Sequence, residues 1–80
     1  MRKVIYAVDE EGYTVAVVED DTIVDEYSAT NNPWDSQGPV LEQGIPPETL
    51  ARWARHTARE MAAEREIDSV EPSRETCLRV

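Results

Sequence analysis

The sequence predicts an α+β fold: a three-stranded antiparallel β-meander, one amphipathic helix packed on it, and a short C-terminal strand (βββαβ). Three observations carry that prediction. Runs rich in β-branched residues at 2–8, 13–18 and 22–28 are separated by short acidic turns. A stripe of apolar residues at helical spacing follows Pro46-Pro47. The last residues, 75–80, alternate between apolar and polar as a strand does.

The first strand ends at Asp9-Glu10-Glu11-Gly12, which reads as a tight turn. Gly12 is expected in the left-handed conformation that closes a three-residue hairpin loop. The second turn, Glu19-Asp20-Asp21, contains neither Gly nor Asn. Short loops on both sides make the three strands a meander, the sheet segment of residues 2–28.

Alternation within the strands is poor. Val4, Tyr6 and Val8 oppose Ile5 and Ala7, and Tyr13, Val15 and Val17 oppose Ala16 and Val18. Both sheet faces are therefore partly apolar, as in sheets covered on both sides. One helix covers one face. The other calls for a loop, a second copy of the chain (a two-fold homodimer) or a partner.

Residues 29–46 are rich in Asn, Pro, Gly, Ser and Asp, and exceed ordinary loop length. Trp34, Val40, Leu41 and Ile45 are embedded in them. The expectation is an ordered loop that lays Trp34 and Leu41 on the uncovered face. A partner-facing Trp34 and a disordered segment are the alternatives.

The helix is expected over residues 47–67. Proline suits a first helical turn, and Glu48 there complements the dipole. Leu50, Trp53, Ala54, Thr57, Ala58 and Met61 form one apolar stripe, read as core. Arg52, Arg55 and Arg59 form an opposite ridge with His56 beside them, read as a solvated face or as a contact for an acidic neighbour or phosphate.

Eighty residues make one domain, 1–80, with a marginal core. Cys77 is the only cysteine and His56 the only histidine. An internal disulfide, a thiolate zinc site and a nucleophilic triad are thereby excluded. A lone cysteine fits a reducing cytoplasm, and no apolar run approaches a membrane span. The glycines match no phosphate-binding loop. No catalytic residue, metal or cofactor is assigned, and the chain reads as a non-enzyme.

Charge is the sharper signal. The first 48 residues carry eleven acidic and two basic side chains, the whole net charge of −9, and the remaining 32 carry six of each. A field confined to one half selects a basic partner and repels nucleic acid. Adaptation to a salty cytoplasm is the rival explanation. Glu19, Asp20, Asp21, Asp25, Glu26, Trp34 and Asp35 are the candidate partner-binding residues. The partner is expected to be a basic toxin or a nucleic-acid-binding protein. Two further readings stand beside this one: an anti-defence protein of phage origin that mimics nucleic acid, and a minimal metal-dependent nuclease centred on Asp9.

The segment Val4-Ile5-Tyr6-Ala7-Val8-Asp9-Glu10-Glu11-Gly12-Tyr13-Thr14-Val15-Ala16 resembles the strand, acidic glycine turn and aromatic-led second strand of the HicB-like antitoxin domain. Val70-Glu71-Pro72-Ser73 leading to Leu78-Arg79-Val80 is similar to that family's Pro-Ser linker and last strand. Together these cover about a third of the chain. The resemblance implies a partial ribonuclease-H-like fold and a non-enzymatic protein that neutralises a small basic RNA-cleaving toxin. The chain departs from the family at Glu19-Asp20-Asp21-Thr22, where a Pro-Gly-Cys-like segment is common, and in the loop holding Trp34. The resemblance implies no residue-level binding site.

Overall fold

Strands β1 (Arg2–Val8), β2 (Gly12–Glu19) and β3 (Thr22–Thr30), helix α1 (Pro47–Glu64) and strand β4 (Val70–Pro72) follow one another in a computed structural model that describes residues 1–34, 36–38 and 40–73. The α+β, βββαβ arrangement is as the sequence predicts. The four strands form one mixed sheet in the order β3-β2-β1-β4. Antiparallel β1–β2 pairs Val4 with Val17 and Tyr6 with Val15, and β4 lies parallel to β1 with Val70 beside Val4. The expected strand at 75–80, with Cys77, lies outside the described residues, as does Asp35.

The two turns of the meander use different chemistry. Asp9 Oδ1 accepts the amide N–H of Glu11 at 2.6 Å and of Gly12 at 2.9 Å, so its side chain closes the first turn. Gly12 is not left-handed as expected; the only described glycine with positive φ is Gly44. Gly12 is needed for another reason. A Cβ there would lie 1.9 Å from the Ala29 carbonyl oxygen on β3. In the second turn Asp20 and Asp21 carry φ of 51° and 67°. Two successive positive φ values make a turn that matches the strand twist, and aspartate tolerates them better than most residues. A bulge follows, with Val17 facing Asp25 and Val18 facing Ile23, so Val24 is the extra residue.

Helix α1 covers one face through Leu50, Ala54, Ala58 and Ala62, all buried and four residues apart. Small side chains on that ridge let the helix approach Val4, Val15 and Val17, which are fully buried. This corrects the apolar stripe. Ala62 joins the ridge, while Trp53 is 40% exposed and Thr57 and Met61 are half-buried on its flank.

The helix ends at 64 rather than 67, and no glycine is used to stop it. Glu66 takes φ 56° instead. Its N–H reaches the Ala63 carbonyl at 3.3 Å and the Ile67 N–H reaches Ala62 at 2.8 Å, the paired bonds of a Schellman ending, with Ile67 buried behind them. Arg2 Nη2 donates to the Arg65 carbonyl at 2.6 Å and ties β1 to the same helix end.

The long loop does not cover the second sheet face. Leu41 and Ile45 pack on the helix-side cluster, and the loop runs along the β3 edge. There the Gln37 and Leu41 amides donate to the Ser28 and Thr30 carbonyls, both at 2.9 Å. Leu41 therefore joins the helix side because the loop must lead into α1. Trp34 is 91% exposed and lies on neither face. The face opposite the helix carries Ile5, Ala16, Val18 and Ile23, of which Ala16 and Val18 are buried, Ile5 is half-buried and Ile23 is 48% exposed. Among the described residues no helix is long and apolar enough to cross a membrane.

Candidate acidic interface

The residues singled out from sequence are strung along β3 rather than gathered. Asp20 and Asp21 sit in the β2–β3 turn, and Glu19 is half-buried at the end of β2. Trp34 follows the other end of β3. Nine strand residues separate the two groups by roughly 30 Å, at about 3.3 Å per residue. They do not form one compact cluster.

Register divides the central pair. Asp25 faces Val17 and points to the helix side, whereas Glu26 faces Ala16 and points to the opposite face. Asp25 is firmly held. Its Oδ1 accepts the Glu26 amide at 2.9 Å and its Oδ2 accepts Arg65 Nη2 at 2.7 Å. The Glu26 amide first, and then the Arg65 guanidinium, hold its carboxyl below the ordinary value. The N-terminal ammonium, 2.8 Å from Asp20 Oδ1, lowers the Asp20 carboxyl in the same way.

On the helix side a groove of about 430 Å³ opens between β3 and α1. Strand β3 lines it with Asp25, Glu26 and Tyr27; α1 lines it with Thr57, Glu60, Met61 and Glu64. Tyr27 is half-buried. Burial first, then Tyr13, pushes its hydroxyl above the usual phenol value, so it stays neutral. The Tyr13 hydroxyl lies 3.2 Å from Thr57 Oγ1 and links sheet to helix beneath the groove. At the far end the Arg65–Asp25 pair spans strand and helix.

Sequence reasoning missed Glu60 and Glu64. The signal was available, because residues 57, 60, 61 and 64 share one helix flank at 3.6 residues per turn. They were passed over because their half of the chain is neutral overall. The Arg52, Arg55 and Arg59 side chains are exposed, and His56 lies 3.3 Å from Glu60.

Asp9 is a turn residue, with its Oδ1 on two backbone amides. Among the described residues no group of three or more His, Cys, Asp or Glu could hold a metal ion. No family model, no curated protein and no solved structure matches this chain.

Proposed function

We propose that this chain is a small acidic binding protein, not an enzyme, that neutralises a basic protein partner in the manner of an antitoxin or inhibitor. One observation carries the reading. The carboxylates of the β2–β3 turn and of edge strand β3 are exposed or half-buried, and Asp25 and Glu26 line one groove together with Glu60 and Glu64 of α1. Among the described residues, internal cations answer two of the first group, Asp20 through the N-terminus and Asp25 through Arg65. The remainder projects a field that steers a basic surface into contact. The HicB-like pattern around Asp9 to Tyr13 agrees with it. A nuclease centred on Asp9 has less support, since that carboxylate is engaged in its own turn.

Capture from the source cells, followed by an assay of the captured protein, tests the proposal. The expected partner is basic, and its activity falls in proportion to added acidic protein. A captured ribonuclease points to an antitoxin, and a captured nucleic-acid-binding defence protein to phosphate mimicry. A neutral or acidic partner, or a basic one whose activity is unchanged on binding, contradicts the proposal.

A further inference from the structure

The groove between β3 and α1 has a chemistry of its own. Glu60 and Glu64 stand one turn apart on α1, and like charges at that spacing repel. They also lie toward the C-terminus of the helix, where the dipole disfavours anions, and no basic residue occupies its last turn. Local preference is thus violated twice at one place. A cation between the two carboxylates relieves both conflicts. The chain already gathers guanidiniums at this end: Arg65 on Asp25 and Arg2 on the Arg65 carbonyl. Among the described residues Glu64 has no ion-pair partner, and Glu60 has only His56, which is charged only if protonated.

The walls suit a long side chain. Tyr27 and Met61 give the groove its apolar surface. An arginine has the matching parts: an apolar stem and a planar fork of donors that meets carboxylates and stacks on aromatic rings. A second copy fits less well, because each copy carries a net charge of −9.

We propose that the β3–α1 groove seats an arginine from an exposed basic segment of the partner, its guanidinium between Glu60 and Glu64 and its stem on Met61 and Tyr27. The proposal rests on the binding-protein reading and names where and how that binding is anchored.

Amide NMR titration tests it, with an acetylated, amidated decapeptide of alternating arginine and alanine as probe and its lysine counterpart as control. The largest shifts are expected at Tyr27, Thr57, Met61 and Glu64. Glu60→Gln with Glu64→Gln should raise Kd about tenfold, as expected for removing both charges that face one cation. Glu10→Gln with Glu11→Gln, at the distant first turn, should change it no more than about twofold. The arginine probe should bind several-fold more tightly than the lysine probe. Equal losses in the two double variants, equal binding of the two probes, or shifts centred elsewhere would overturn the groove assignment while leaving an acidic binding protein intact. Groove shifts that appear on concentrating the protein without probe would also overturn it, in favour of a second copy. Absence of binding to either probe at low salt would remove both the groove and the wider reading.

Discussion

Asp25 on edge strand β3 and Arg65 just beyond helix α1 are joined by a 2.7 Å contact that crosses 40 residues of sequence and closes one end of the acidic groove. Both groups are partly exposed, so the pair is worth only about 0.2–1 kcal/mol. Its pH dependence has a definite sign. The Asp25 carboxyl lies below its ordinary value when folded. Its contribution is therefore complete above the unfolded carboxyl's value near pH ~3.9, and is lost as pH falls through the lower folded value. Asp25→Asn should lower stability by a few tenths of a kcal/mol to about 1 kcal/mol near neutral pH. In urea melts the gap between the two proteins should close in acid, as pH falls through the lowered value of the folded carboxyl. A gap that persists in acid would assign the effect to something other than charge.

Gly12 on β2 lies close against the Ala29 carbonyl on β3. Gly12→Ala places a Cβ against the Ala29 carbonyl, where neither backbone can yield without parting β2 from β3. Overpacking of this kind costs about 1–3 kcal/mol or more. Gly44→Ala meets no atom within 4 Å, but carries a φ of 83°. Its cost should stay near 1 kcal/mol. Chemical denaturation of the two variants side by side checks the order. A milder Gly12 variant would mean that β3 does not lie where it is described.

Three non-glycine residues, Asp20, Asp21 and Glu66, hold left-handed conformations that glycine adopts freely. Asp21→Gly and Glu66→Gly should each raise stability by about 0.5–1 kcal/mol, visible as a higher Tm. Loss of stability in either would contradict the turn or the helix ending assigned here.

The element order was legible because the strands are β-branched and the turns acidic, and because Pro46-Pro47 announces the helix. The turn details were not. Glycine at 12 suggested a left-handed residue, yet its role is close approach between strands, which only the register of β2 against β3 reveals. The αL positions fell instead on Asp20, Asp21 and Glu66, where propensity gives weak warning. Trp53 and Trp34 were also hard to place. Spacing put Trp53 in the core stripe, but the alanine ridge brings the helix too close for an indole and turns it outward. Trp34 depends on a loop whose path is fixed by Leu41 and Ile45. The candidate acids on β3 were visible as a run. Their separation onto two faces, and the arrival of Glu60 and Glu64 beside Asp25, are tertiary facts.

The sheet face opposite the helix, where Ala16 and Val18 are buried and Ile23 is 48% exposed, bears on assembly. Four strands about 4.8 Å apart, of seven, eight, nine and three residues, present roughly 430 Å². A stable interface takes about 800 Å² per partner. A two-fold dimer through this face should therefore be weak. Light scattering at micromolar concentration should give a mass near 9.1 kDa. A stable dimer under those conditions would show that the contact surface extends beyond the sheet.

The central claim is electrostatic recognition of a basic protein, and the association rate with the captured partner tests it most directly. Stopped-flow mixing across a salt series should show the rate falling about tenfold or more as salt rises from about 0.05 M to about 0.5 M. Neutralising Asp20, Asp21, Asp25 and Glu26 together, with the fold verified by circular dichroism, should lower the low-salt rate and flatten that dependence. An association rate indifferent both to salt and to these four substitutions would contradict the account.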